Sequence, residues 1–318
     1  QSGFAGSPQP TGHGTAVASL AAGVAPAAEF ISIRVGDDSG RADSFALAAG
    51  ILAAVHAGAQ IINISMGTTE DNPLIREAVL HAHDHQVLIV AAAGNSERTE
   101  ATYPAAYPTV ISVGAVDARG EHLDFSNYGT YLSLTAPGYA IDAAWPGNRI
   151  ARVSGTSASA PLVAGAIAAT MSSHGSPVMG ARQAAEIVMS QSNEAGIPGP
   201  DSEYGVGILN LARVMNRSLP GIVDAAITQQ RFLGEEIEVT VQNRGTTVLV
   251  NTLLEISTPF GSRQFNASTL VPGAIRTFSM PARMPDGGKI RVRSSLVLGT
   301  PGQDITPRNN WRESDLRR

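Results

Sequence analysis

The chain has no cysteine and a single lysine, Lys289, among its 318 residues. Without cysteine neither a disulfide framework nor a thiolate zinc site is available to hold it together. That absence suits an exported bacterial protein as well as a cytosolic one. Aromatic residues make up only 5%, so a core must be built from aliphatic and small side chains. No apolar run approaches the roughly 20 residues that cross a bilayer, and no secretory leader is visible. Positive charge is also scarce where a nucleic-acid binder would need it. Residues 1–220 hold 10 arginines against 18 carboxylates, and residues 221–318 hold 12 basic side chains against 9 acidic ones. Neither half carries a basic stripe, which argues against a nucleic-acid partner. Finally, residues 1–11 contain no Asp or Glu. The sequence opens on Gln1 rather than Met, and we expect either a processed chain or a piece of a longer protein.

What is present divides into two parts, as the length suggests. Up to about residue 219, apolar β-branched runs alternate with helical patterns. Strands are expected at 29–35, 60–65, 87–92 and 109–116, and helices at 44–56, 73–85, 156–172 and 177–191. Asp43 or Ser44 caps the first of these helices, and Pro73 opens the second at its first turn. Pro161 is tolerated in the third because it sits near that helix's start. Unbroken apolar strands between helices mark a parallel sheet covered on both faces. After residue 219 the helix signals stop. Short strands at 222–228, 236–242, 248–257, 275–280 and 289–297, separated by Gly, Pro and Asn turns, read as a β-sandwich over 220–318.

Three short motifs carry chemistry: GHGT at 12–15, AGN at 93–95 and GTSASAP at 155–161. Taken singly each has a plainer reading. Asn95 after a glycine suits a turn, Ser157 suits an N-cap, and His13 between glycines suits a loop. Together with IINISMG at 61–67, YPAAYPTVISVGAVD at 103–117, and FSNYG at 125–129 with TAPG at 135–138, they recur in an order that resembles the subtilisin family of serine proteases. The resemblance covers about residues 12–215. It implies a serine endopeptidase with Ser157 as nucleophile, His13 as general base and Asn95 as oxyanion donor beside the Ser157 amide. A serine hydroxyl is a poor nucleophile unless a base takes its proton, and a helix N-terminus favours the developing negative charge. It further implies that Ser65, Met66 and Gly67 pair with an extended polypeptide substrate. Ala92, Ala93 and Gly94 are implied as one wall of the pocket for the residue before the cut bond, and Thr102 as its base. A threonine there shortens the pocket and predicts small or medium apolar side chains in preference to Phe or Tyr. A secreted, periplasmic or cell-surface location is the corresponding expectation.

The sequence departs from the family pattern in two places. Residues 21–26 run straight into the next expected strand without the calcium-binding insertion of many members, so no metal or other cofactor is assigned. His81 and His85 share a helix face, but no carboxylate spacing completes a zinc site and they read as solvated. The second departure is the triad aspartate, which in the family precedes the histidine. Asp37 and Asp38 follow it and match a different loop. Three explanations stand: the aspartate belongs to sequence outside this chain, it sits on a separate bound fragment, or the chain is a non-catalytic relative with a binding or adhesion role. The region after 220, with EEIEVTVQNRG at 235–245, resembles bacterial cell-adhesion-type immunoglobulin-like domains.

Overall fold

The structure, a computed structural model, describes residues 12–37, 40–172, 179–267, 269–285, 287–300 and 302–317. Residues 1–11 and Asp38 lie outside these. The chain divides into two compact units, Gln1–Ser192 with Pro200–Leu211, and Asn193–Gly199 with Ala212–Arg318.

The first unit carries helices α1 (His13–Val24) and α2 (Ser44–His56), strand β1 (Ile61–Ile64), helix α3 (Pro73–Asp84) and strands β2 (Leu88–Ala92), β3 (Val110–Val116) and β4 (Leu134–Pro137). A hairpin of β5 (Ile141–Trp145) and β6 (Arg149–Val153) follows, then helices α4 (Thr156–Met171) and α5 (Ala181–Ser190). The four strands β1 to β4 form one sheet in sequence order, and every neighbouring pair is parallel. Local signals set the helix starts. The Asp43 carboxylate accepts from the Ala46 N–H at 2.7 Å, and the Asn72 side chain accepts from the Leu74 N–H at 2.9 Å ahead of Pro73. On one face of the sheet, Leu47 and Ile51 of α2 and Ile75 and Val79 of α3 pack against Ile64 and Ile89. Against the other lies α4, buried nearly all round as its small-residue sequence requires. It packs tightly on α1: a Cβ at Gly165 would sit 2.8 Å from the Ala21 carbonyl oxygen and from the Val24 side chain.

Two sequence expectations need correction here. Residues 29–35 do not form a strand; among the described residues they join no sheet, and Phe30 and Ile31 are about half exposed. Their apolar pattern suits a strand, but a strand needs a partner edge, and among the described residues none pairs with them. Pro161 also stands deeper than the first turn, as the sixth residue of α4. Its missing N–H removes the helical donor to the carbonyl of residue 157, with a consequence for the site described below.

The second unit takes in most of the short helix α6 (Leu211–Asn216) and a set of antiparallel strands. Strands β7 (Ala225–Leu233), β8 (Glu236–Asn243) and β11 (Ile275–Pro281) form one sheet, in the order β11-β8-β7. The other holds β9 (Leu253–Thr258), β10 (Gly261–Asn266), β12 (Lys289–Val297) and β13 (Trp311–Arg317), in the order β10-β9-β12-β13. Ile237, Val239 and Val241 from one sheet and Leu254, Ile256, Ile290 and Val292 from the other form its core. On the outer face of β12 and β13, Lys289 and Arg291 pair with Asp315, and Arg293 with Glu313.

Candidate active site

Ser157 is the second residue of α4, and the Gly155 N-cap reaches it with φ of +136°, a conformation that favours glycine. Beside it stands Asn95, on the loop after β2. Its Oδ1 accepts from the Thr156 N–H at 2.8 Å and from the Thr156 hydroxyl at 2.9 Å. That hydroxyl in turn accepts from the Gly94 N–H at 3.1 Å. Two donors on Oδ1 fix which way the amide faces. Its Nδ2 is therefore turned away from them, and a Cβ on Gly155 would come within 3.0 Å of it. Among the described residues Nδ2 donates to no protein group. The Ser157 N–H lies in the first turn of α4, where backbone donors lack helical acceptors. The Asn95 side-chain amide thus lies beside Gly155, two residues ahead of the Ser157 N–H in the chain.

The Ser157 hydroxyl itself donates to the Ser65 carbonyl oxygen at 3.2 Å. The Ser65 hydroxyl donates back to the Ser157 carbonyl at 3.0 Å and accepts from the Asn63 side-chain amide at 3.0 Å. The return bond follows from Pro161. The proline withholds the backbone donor that would normally satisfy the Ser157 carbonyl, and Ser65 replaces it. Helix α4 and the segment after β1 are thereby stitched together by two hydrogen bonds.

His13 is the first residue of α1, half-buried, and lines one cleft with Ser65 and Met66. Burial pushes its imidazole below the ordinary histidine value, so the ring stays neutral to lower pH. The hydrogen bond of the Ser157 hydroxyl goes to Ser65 and not to His13. Asp37 caps its own turn, accepting from the Arg41 N–H at 3.0 Å.

Gly67, Gly94 and Thr102 meet around one point. A Cβ on Gly67 would lie 2.7 Å from the Thr102 methyl, and one on Gly94 3.1 Å from the Thr102 hydroxyl. Thr102 is buried, as are Ala92 and Ala93, which leaves Gly94 as the half-exposed member of that wall. The organiser is Asn127, 3% exposed. It donates to the Ala93 carbonyl at 3.1 Å and to the Thr102 hydroxyl at 3.0 Å, and it accepts from the N–H groups of Ser96 and Arg98. Neither Asn127 nor Thr156 was singled out from the sequence. Both lie inside matched motifs, FSNYG and GTS, but a buried polar residue declares its role only through its partners. The rings of His81 and His85 lie tilted against each other with centroids 4.1 Å apart, and among the described residues no group of three or more metal-ligating side chains assembles.

The sequence pattern of the subtilase family, Peptidase S8, matches residues 5–207. The chain belongs to the subtilase family. Among curated relatives, the thermostable alkaline protease of Halalkalibacterium halodurans is 35% identical over 211 residues, covering 64% of this chain and 57% of that protein. Subtilisin DY of Bacillus licheniformis is 34% identical over 213 residues, covering 63% and 76%. The self-cleaved protease domain of PatA superposes with a TM-score of 0.59 at 33% identity, covering 65% of this chain and 83% of that one. This subtilase spans about half the length of the first two curated relatives it matches, 57% and 46%.

Proposed function

We propose that this subtilase is a serine endopeptidase that cuts extended polypeptides through an acyl-enzyme on Ser157. Attack by the Ser157 oxygen on the scissile carbonyl forms a C–O bond while His13 takes the hydroxyl proton. Collapse of the tetrahedral intermediate breaks the C–N bond, and His13 returns that proton to the leaving amine. Water, deprotonated by His13, then releases the acid product and regenerates Ser157. The observation that carries this reading is the anchored Asn95 amide, whose free Nδ2 and the adjacent Ser157 N–H form a two-donor oxyanion site. Strand pairing along Ser65–Met66–Gly67 would hold the substrate, with Gly94 and the buried Thr102 limiting the pocket to small or medium apolar side chains. The triad carboxylate that orients His13 is supplied by polypeptide outside these 318 residues. Residues 220–318 would act as an immunoglobulin-like domain, and the protein would work outside the cytoplasm.

A second reading, a non-catalytic scaffold, draws on one observation: the Ser157 hydroxyl is engaged by the Ser65 carbonyl. A fluorophosphonate separates the two. Covalent labelling at Ser157, abolished by Ser157→Ala and sharply slowed by His13→Ala, supports the peptidase. No labelling when a carboxylate-bearing segment is supplied supports the scaffold.

A further inference from the structure

Each sheet of the second unit ends in a strand with a free edge. Strand β10 closes one sheet and β11 the other, and among the described residues neither is paired on its outer side. The two edges meet through the rings of Phe265 and Phe278, whose centroids are 5.6 Å apart. Toward the start of β10 and the end of β11 they bound a cavity of about 690 Å³. Its lining is of two kinds. Phe260, Met280, Pro281 and Met284 are apolar, and Phe260, in the turn between β9 and β10, is 71% exposed. Arg263 and Arg283 are the ionisable residues of the lining, and both are exposed. Elsewhere in this unit Arg231, Lys289, Arg291 and Arg293 each pair with a carboxylate, whereas Arg263 and Arg283 form no ion pair among the described residues. The Arg263 guanidinium instead lies 5.0 Å from the centroid of the Phe265 ring.

We propose that this groove is a docking site for an acidic, extended segment of a partner polypeptide, which adds as a strand to the free edge of β10. The proposal goes beyond the peptidase reading and holds whether or not the bound segment is cut. Charge sets the partner's sign. Two unmatched guanidiniums favour carboxylates, which each can hold through a pair of parallel hydrogen bonds, and an arginine on the edge repels a basic strand. Backbone chemistry selects the edge. Pro281 has no N–H to offer at the groove end of β11, whereas β10, GSRQFN, contains no proline. The apolar lining sets the rest of the segment. Strand addition turns alternate side chains to one face, so the fitting pattern is one Leu or Phe with a carboxylate two residues before it and another two residues after. The unbranched, polarizable side chains of Met280 and Met284 adapt to either apolar residue. A nucleic acid or a sulfated glycan would meet only two cations and leave the apolar lining uncovered.

The test adds to the full 318-residue chain a fluorescein-labelled peptide of Thr, Glu, Val, Leu, Val, Glu and Thr in that order, or its twin with Gln for Glu. Anisotropy reads binding, and hydrogen exchange reads seating. The Glu peptide is expected to bind saturably and to protect the amides of residues 261–266. The Gln twin is expected to bind about tenfold more weakly, for the loss of two partly solvated ion pairs. Arg263→Gln and Arg283→Gln, both at exposed positions, should each weaken the Glu peptide about threefold, with the circular dichroism and the affinity of the Gln twin unchanged. Phe260→Ser should weaken both peptides alike. Absent binding, exchange protection that leaves 261–266 untouched, equal affinity for the two peptides, or binding indifferent to both arginine variants overturns the proposal. So does heparin that protects the same amides and displaces the peptide at a lower concentration than the unlabelled Glu peptide does, which would assign the groove to another polyanion. Dimers in sedimentation that Arg283→Gln dissolves overturn it as well, by assigning the groove to a second copy of this chain.

Discussion

The exchange of hydrogen bonds between Ser65 and Ser157 yields a quantitative prediction through Pro161. Ser65→Ala removes the donor to the Ser157 carbonyl and the acceptor of the Asn63 amide, two contacts at 3.0 Å each. At about 1 kcal/mol net per bond, the loss is about 2 kcal/mol. Pro161→Ala restores the backbone N–H four residues beyond Ser157, and the helix then satisfies that carbonyl itself. In the alanine background Ser65→Ala therefore costs only the Asn63 contact, about 1 kcal/mol. The coupling between the two sites should be about 1 kcal/mol, and the cycle cancels whatever Pro161→Ala does alone to packing and chain entropy. Urea unfolding, followed by Trp145 fluorescence in a Trp311→Phe background, reads it from the first unit. With a slope of 1–3 kcal/mol/M, the coupling corresponds to a midpoint difference of roughly 0.3–1 M. A coupling under about 0.3 kcal/mol, the range of independent sites, refutes the claim that Ser65 substitutes for a helical donor.

Four further outcomes follow from the site. Asn127→Ala strips hydrogen bonds from the buried Ala93 carbonyl and Thr102 hydroxyl and should lower stability by about 2–4 kcal/mol; an unchanged midpoint contradicts its organising role. Asn95→Ala should reduce turnover by ~10²–10³ with little change in KM, the scale set by the equivalent donor in the related subtilisin rather than worked from this structure. Equal changes in both constants count against it. Thr102→Ser keeps the hydroxyl that Asn127 uses and removes the methyl beside Gly67. Cleavage after Phe relative to Ala should then rise by about tenfold or more in kcat/KM, since one methyl in a pocket is worth about 1–3 kcal/mol. Burial lowers the His13 value, so the neutral ring is the folded-state form, and stability is complete above the unfolded histidine value and lost as pH falls through the lowered one. An NMR titration of His13 with its midpoint above 6.5 in the unaccompanied chain would contradict this.

Much of this subtilase was legible from residue order, for identifiable reasons. β1 to β3 announce themselves as apolar, β-branched runs, and β2 and β3 are buried nearly throughout. α2 and α3 do so through Asp43 and Pro73, whereas the Asn72 cap appears only in the structure. β10 and β13 escaped notice because their sequences, GSRQFN and WRESDLR, are largely polar, and their edge positions leave alternate side chains in water. β4 has only four residues. Residues 29–35 misled in the opposite direction: their side chains match a strand, but pairing depends on a neighbour that local sequence does not reveal. At the site, Ser157, His13 and Asn95 stand out by motif, whereas Asn127 and the Ser65–Pro161 compensation emerge only from contacts between distant segments.

The contact at Gly165 bears on how His13 and Ser157 keep their separation. α1 carries His13 and α4 carries Ser157, and the two helices touch backbone to backbone where Gly165 meets Ala21. That fulcrum lies eight residues along α4 from Ser157, about 12 Å at 1.5 Å per residue. One methyl group wedged there tilts two levers whose far tips hold His13 and Ser157. Ångström precision at the far tips is thus set by a residue that has no side chain beyond a hydrogen.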